Sequence, residues 1–349
     1  MKRKTLPKDF KQMLEKRADL ATLQAVFDNC EIDARGGYSK ETAFLMAKCP
    51  DDLARWLAAS GADIAAVDSF GNSALHIRAR SCQSNLKVLI DLGCDLNAHR
   101  ASGETPLHAA ADAANANAVE LLLAAGATVD ATNREGLTPL ELALRGCSNV
   151  ALVDMVVVSR LLLAAGARKT PIAKGFVQRI GETFEFHRSN FNPDFVDEAS
   201  AALTTLCEIF EVKPPVRRQM HDGISTIRAT TSTWQKQHKE LWDLLVPSTG
   251  PAATIQGEVI RISGRIGDEL ERNGGTNWDA DYEKMARAFL DLVRNGTPLP
   301  EDQARDGERV IGAIIKDRAG DTDRLAELAV AWVMLNPKPI QLGKVAYSR

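Results

Sequence analysis

Aromatic side chains are scarce in this 349-residue sequence: eleven Phe, five Trp and three Tyr, 5% of the chain. Its cores must therefore be built from Ala, Leu, Ile and Val, which favours close-packed helices over a β-sandwich. No charge excess exists either. With 43 basic against 46 acidic side chains the net charge is -3 and the pI about 6.1. Domains that bind nucleic acid usually carry a marked basic excess, so nucleic acid is not expected as a partner. Long hydrophobic runs are missing. Met155–Val158 and Leu161–Ala165 are split by Ser159-Arg160, and Leu328–Leu335 covers only about a third of a bilayer. The basic start Met1-Lys2-Arg3-Lys4 leads into Leu6-Pro7-Lys8-Asp9 without an apolar signal core. No membrane association is expected, and a cytoplasmic location is. Cys30, Cys49, Cys82, Cys94, Cys147 and Cys207 form no C-x-x-C pair and no zinc-like spacing with histidine, so they read as small buried hydrophobes in a reducing compartment. A nucleophile elbow, an H-E-x-x-H pair and a Gly-rich phosphate loop are also absent, and Gly343-Lys344 lies in a tail with no loop before it. No cofactor, metal or catalytic residue is expected.

What the sequence does have is an internal period. Ile32-Asp33-Ala34, Ile64-Ala65-Ala66, Leu96-Asn97-Ala98 and Val129-Asp130-Ala131 recur at spacings of 32, 32 and 33 residues. Apolar helical runs ending in Gly61, Gly93, Gly126 and Gly166 alternate with the segments Thr42-Ala43-Phe44-Leu45, Ser73-Ala74-Leu75-His76, Thr105-Pro106-Leu107-His108 and Thr138-Pro139-Leu140-Glu141. Thr or Ser caps a first helix, and Pro follows where its missing N–H costs nothing. Glycine closes the second helix in the left-handed conformation. The segment Gly103-Glu104-Thr105-Pro106-Leu107-His108-Ala109-Ala110 resembles the ankyrin repeat almost residue for residue. That resemblance implies that Thr105, His76 and His108 knit neighbouring repeats together and have no catalytic or metal role. Cys30 and Cys94 share the repeat position of Ala62 and Ala127, which makes them packing residues.

Asp9–Glu15 and Leu20–Asp28 read as two helices without the Thr-Pro-Leu-His signature, an N-terminal cap whose exposed face is polar through Lys8, Lys11, Glu15, Lys16 and Arg17. Arg78 replaces a small alanine, which implies a bent helix or a contact to a partner. From Thr138 to Gly166 is 28 residues against 21 from Thr105 to Gly126, so the last repeat carries an insertion near 146–154. The ankyrin resemblance further implies a concave face of fingers and first helices that binds another protein. Its surface positions here are Tyr38, Ser39, Ser69, Phe70, Asn72, Ala101, Ser102, Glu104, Arg134, Glu135 and Leu137, with Arg80, Asp112 and Arg145 at the helix ends. Tyr and Arg among them are interface-rich types.

Beyond Lys169 the sequence is helical and without strands. Thr170-Pro171 and Asn192-Pro193 open helices. Met220, Ile224, Ile227, Thr231, Trp234, His238, Leu241 and Leu245 form a heptad-like stripe that predicts one helix of about 30 residues, with His238 as a hydrogen-bonded core residue. The next helix has Ile255, Val259, Ile262, Ile266 and Leu270 on one face, while Gly257, Gly264 and Gly267 imply a neighbour in close approach. Glu258, Arg261, Arg265, Asp268, Glu269 and Arg272 alternate in sign and read as a solvated face of ion pairs. Asn273–Tyr282 stops one helix and caps another, and Lys284 in the place that requires Gly excludes a calcium loop. Helices follow at 282–295, 301–318 and 322–335, then a short extended tail. The stretch Leu241–Tyr282 resembles uncharacterised bacterial proteins, some with ankyrin repeats, and implies no chemistry.

The fold class expected is all-α: an ankyrin-repeat solenoid over 1–169, with a cap at 1–35 and four repeats at 36–169, then a helical domain over 170–349. The function expected is a non-catalytic interaction scaffold that binds a protein partner, with inhibition of that partner, as by a bacterial immunity or regulatory protein, as its sharper form. The alternative is an enzyme with a cleft of Glu258, Arg261, Arg265, Trp278, Asp279 and Asp281, to which the repeats recruit substrate.

Overall fold

A computed structural model describes residues 1–81 and 85–348, so Cys82 lies outside the described residues. The described chain is mainly helical and forms two compact units. One contains Met1–Phe184 and Asn192–Pro215, and the other contains Glu185–Phe191 and Val216–Arg349.

The first unit begins with the expected cap, α1 (Phe10–Glu15) and α2 (Leu20–Asn29). Phe10, Leu14, Leu23 and Phe27 are buried, and Phe27 meets Phe10 edge-on and leans on Trp56. The five charged cap residues are exposed. A small sheet, absent from the sequence reading, lies beside these helices: β1 (Arg3–Thr5) pairs parallel with β2 (Cys30–Gly36), which pairs antiparallel with β3 (Glu41–Thr42). β1 and β3 are too short to show a two-residue period, β2 does not alternate in burial, and β1 is exposed at every position.

Four hairpin-like repeats follow. Helix α3 (Asp51–Ala59) belongs to the first, α4 (Ala74–Ala79) and α5 (Lys87–Asp91) to the second, α6 (Pro106–Asp112) and α7 (Ala116–Ala124) to the third, and α8 (Pro139–Gly146) and α9 (Leu152–Ala164) to the fourth. Gly61, Gly93, Gly126 and Gly166 have φ between 80° and 101°, the left-handed closure that glycine supplies without strain. Cys30, Ala62, Cys94 and Ala127 are all buried. First helices stack on first helices, α4 on α6 and α6 on α8, and second helices on second helices, α7 on α9. The insertion is an added helical turn. Asn149–Ala151 forms a 3-10 turn that runs into α9, whose 13 residues compare with 9 in α7.

In repeats two to four one side chain each ties this stack together. His108 Nδ1 accepts the Thr105 N–H at 3.1 Å, and its Nε2–H donates to the Leu137 carbonyl of the following repeat at 3.0 Å. His76 does the same for the Ser73 N–H at 3.2 Å and the Glu104 carbonyl at 2.9 Å. A backbone N–H only donates and a carbonyl only accepts, so these contacts fix the neutral Nε2–H tautomer of both rings. In the fourth repeat Glu141 stands in for histidine. Its Oε2 accepts the Thr138 N–H at 2.9 Å and its Oε1 accepts the Thr170 hydroxyl. Thr170 in turn caps α10 (Pro171–His187), accepting the Ala173 N–H at 3.1 Å. The repeat signature ends at Lys169, yet the Thr-Pro start recurs at 170–171, and α11 (Pro193–Phe210) packs against α9 as a second helix would.

Arg78 is an internal tie rather than a bend or a partner contact. Its fully buried guanidinium donates to the Cys49 carbonyl at 2.9 Å and the Asn85 carbonyl at 3.1 Å, and pairs with Asp51 at 3.6 Å.

In the second unit α13 (Ile255–Gly267) is the central helix. It packs against α12 (Trp234–Leu245), α14 (Ala280–Leu292) and α16 (Thr322–Leu335), with α15 (Glu301–Asp317) against α14 and α16. The glycines of α13 make the close approach expected of two of them. A Cβ on Gly264 would lie 2.3 Å from the Trp242 ring, and one on Gly257 would lie 2.9 Å from the Leu245 carbonyl oxygen, whereas Gly267 has ordinary clearance. Two expectations fail. The Met220–Leu245 stripe is not one helix, because only Trp234–Leu245 is helical. Asp222 captures the N–H groups of Ile224 and Ser225, Gly223 turns at φ 75°, and Glu240 binds the N–H groups of Thr230 and Thr231. These side chains compete with helical hydrogen bonds, and only Ile227 of that segment reaches the core. Nor is the polar face that starts on α13 solvated throughout, since Glu258, Arg261 and Glu269 are buried, whereas Asp268 and Arg272 form the expected exposed ion pair.

Burial holds the His76 imidazole down at about pKa 4 and pushes His108 in the same direction. The unfolded chain takes up these protons from about pH 6.5, whereas native His76 does so only near pH 4 and native His108 below its ordinary value. Stability is therefore complete above pH 6.5 and falls as the pH drops toward 4, His76 alone accounting for about 3 kcal/mol. Urea midpoints measured between pH 7.5 and 4.5 should decline accordingly, with a shallower decline in His76→Gln. In the second unit, Gly264→Ala should cost about 1–3 kcal/mol by forcing Trp242 aside, read as a lower melting temperature.

Candidate functional site

Each repeat projects a finger, and the fingers are joined by their own backbone. Ser69 N–H donates to the Ser39 carbonyl at 2.8 Å and Arg134 N–H to the Ser102 carbonyl at 2.9 Å. Side chains shape the turns. Asp68 accepts the N–H groups of Phe70 and Asn72, both at 2.8 Å, and Asn133 accepts those of Glu135 and Leu137 at 3.0 and 2.9 Å. Asn72 also donates to Asp68 at 3.0 Å, so it builds the finger rather than standing free of it. Gly103 is required there, since a Cβ would lie 2.9 Å from the Arg134 nitrogen and the residue has φ 80°.

Rigid fingers hold two aromatic rings in water. Tyr38 is 90% and Phe70 50% exposed, with ring centroids 6.3 Å apart on adjacent fingers. Beside them runs a band of charge. Arg80 lies 3.8 Å from Glu104 and 3.7 Å from Asp112, Arg100 pairs with Glu104, and Arg145 pairs with Glu135. The hydrogen bond to Arg145 holds the Glu135 carboxyl below its usual range. Arg134 is exposed and Glu104 is buried. Of the expected face residues, Arg80, Glu104, Asp112, Glu135 and Arg145 thus form ion pairs, and Tyr38 and Phe70 form the aromatic pair. Leu137 is buried and leaves the surface set. Arg100 was not foreseen. It stands where the neighbouring fingers have Asp68 and Asn133, and that exchange of an acceptor for a cation was the signal. The insertion contributes a separate apolar edge of Val150, Val153 and Val157, all exposed.

The six residues of the supposed cleft do not line one site. Glu258 and Arg261 form a fully buried pair at 2.6 Å, and the Tyr347 hydroxyl donates to Glu258 at 2.6 Å with its ring beside the Arg261 guanidinium. Burial and the neighbouring carboxylate push the Tyr347 phenol upward, so it stays protonated and donates. Asp279 caps α14 through the N–H groups of Asp281 and Tyr282. Asp281 is bound by Lys284 at 2.8 Å and by the Ser348 hydroxyl at 2.6 Å. Trp278 stacks on Tyr282 at 5.2 Å. Arg265 lines a cavity of the second unit. His238 is half-buried and bonded to Ser263 at 2.9 Å, as expected of a core histidine.

Among the described residues no group of three or more histidines, cysteines or carboxylates is placed to hold a metal. Burial pushes the thiols of Cys49 and Cys147 up to about 12 and that of Cys94 to about 11, far from a reactive thiolate. No helix among the described residues is long and apolar enough to cross a membrane.

The family model of ankyrin repeats (three copies) matches residues 44–133 and 83–169. Among curated proteins, this chain is similar to the neurogenic locus Notch protein of Drosophila melanogaster, 37% identical over 103 residues, 29% of this chain and 4% of that protein. It is similar to the nuclear factor NF-kappa-B p105 subunit of Gallus gallus, 26% identical over 263 residues, 71% of this chain and 23% of that protein. It is also similar to alpha-latrotoxin-Lg1a of Latrodectus geometricus, 39% identical over 93 residues, 25% of this chain and 7% of that protein. The chain thus spans less than a quarter of each of these relatives.

Tyr347→Phe leaves Glu258 one donor short in a fully buried place. A loss of about 1–2 kcal/mol is expected, measured by urea unfolding.

Proposed function

We propose that the N-terminal ankyrin array binds a protein partner across its fingers and the ends of its first helices and catalyses no reaction. The observation that carries this reading is the Tyr38–Phe70 pair, two large rings held in solvent by fingers whose backbone is hydrogen-bonded at Lys40, Ser69, Phe70, Gly71 and Asn72. A folded chain gains nothing by leaving such rings exposed, and aromatic groups framed by charge are what a protein interface uses as anchors. The charged band beside them serves orientation and encounter rate more than affinity, because its ion pairs are partly exposed and already satisfied. Arg134, exposed two fingers beyond Phe70, completes the surface.

A sharper form of the same reading is that the array restrains the partner's activity by stoichiometric occupation. It needs only a tight face with no chemistry of its own, and the buried, internally satisfied Glu258–Arg261 pair is consistent with a helical unit that supports rather than reacts. Co-purification of the full chain with quantitative mass spectrometry tests the interface. One partner near equimolar ratio is expected with wild type, and Tyr38→Ala and Phe70→Ala should each lower its recovery by about tenfold or more. Both rings being exposed, these variants should keep their melting temperature. Undiminished recovery in both variants would remove the fingers from the interface and direct attention to Val150, Val153 and Val157.

A further inference from the structure

The second unit holds a cavity of about 400 Å³ that the array's function does not use, lined by Phe186, Trp242, Ser248, Arg265, Glu269 and Tyr282 among others. Its walls are preformed. Arg218 donates to the carbonyls of Asp243 at 2.6 Å, Trp242 at 3.0 Å and Phe186 at 3.2 Å, and its guanidinium covers the Phe186 ring at 4.3 Å. Phe186 lies nearly parallel to Trp242, with centroids 6.1 Å apart and planes 16° apart. Trp242 itself is seated against Gly264, so the next residue of α13, Arg265, is delivered to the cavity by a rigid support.

Two arginines, Arg265 and Arg272, and two carboxylates, Asp268 and Glu269, line the cavity. Glu269 accepts the Asn277 N–H at 2.6 Å and the Asn273 amide at 3.1 Å, and Asp268 pairs with Arg272 at 3.3 Å. Arg265, half-buried, pairs with no carboxylate among the described residues. A half-buried guanidinium with no direct ion pair keeps its N–H donors for an anion from solution. The helix also leaves its α-helical course at this point, Asp268–Arg272 being a π-turn, a feature that recurs at ligand sites. We infer that this cavity binds a small anion that carries a planar ring, its carboxylate or phosphate on Arg265 and its ring against the Phe186–Trp242 wall. The volume suits a ligand of that size. A cation is disfavoured by Arg265, and a wholly apolar ligand would bury that charge unrelieved.

The test uses the full chain in ligand-observed NMR and calorimetry with two matched pairs of probes, AMP against adenosine and 1-naphthoate against 1-naphthalenemethanol. At least one anion should bind saturably and about tenfold or more tightly than its uncharged counterpart. Arg265→Gln should abolish that preference, Arg265→Lys should keep part of it, and Arg309→Gln on α15 should leave it intact. Melting temperatures of the variants confirm the fold, and the Lys variant answers the question should Gln unfold the unit. No saturable anion binding, equal affinity for charged and uncharged probes, or an Arg265→Gln variant that binds like wild type would each overturn the proposal.

Discussion

The first unit depends, from its second repeat to its fourth, on a group at the third position of the first helix that can serve two masters. His76 and His108 each accept from the backbone of their own helix start and donate to the carbonyl of the next repeat. One hydrogen bond fixes where the helix begins, and the other fixes where the neighbour sits. Neither ring has a spare nitrogen, and neither can take a second proton without losing its own cap. The stacking of helices and the left-handed glycines give each repeat its shape. The imidazoles set the register between repeats two, three and four, and the finger positions that hold Phe70 and Arg134 follow from that register.

A different economy holds the second unit. There a carboxylate and a guanidinium on adjacent turns of α13 are taken fully out of water and completed by the Tyr347 hydroxyl from the C-terminal segment. Gln256 adds to the same tie, donating to the carbonyls of Asn336 and Lys338 and accepting the Ile340 N–H. The segment after α16 therefore behaves as a strap across the central helix. Burying such a pair costs solvation and is justified only when every remaining donor and acceptor is met.

Much of this was legible. The 32- to 33-residue period, the Thr-Pro starts and the closing glycines gave the array, because each is a local rule with a strong backbone cause. Gly257 and Gly264 announced close helix contacts for the same reason. What the sequence hid was settled over distance. Glu258 and Arg261 have the three-residue spacing of a surface ion pair, and only a tyrosine nearly ninety residues later makes them interior. The stripe at 220–245 has a helical period, but Asp222, Gly223 and Glu240 spend its backbone donors elsewhere. Arg78 was visible as an anomaly, and its role required the Cys49 carbonyl 29 residues away. For the interface, exposure of Tyr38 and Phe70 followed from repeat position, whereas the satisfaction of Asn72 by Asp68 and the burial of Leu137 depended on the turn each finger adopts.

The change from histidine to Glu141 has a further meaning. An imidazole offers an acceptor on one side and a donor on the other, so any His repeat can be followed by a bare carbonyl. A carboxylate offers acceptors on both sides, and its successor must bring a hydrogen of its own, which the Thr170 hydroxyl does. The joints of this array are therefore not all of one kind, and the last joint admits only a matching piece. Repeats two and three are in principle exchangeable with each other, while the fourth is keyed to the helix that follows it. The array thus carries in one side chain the information about where it ends.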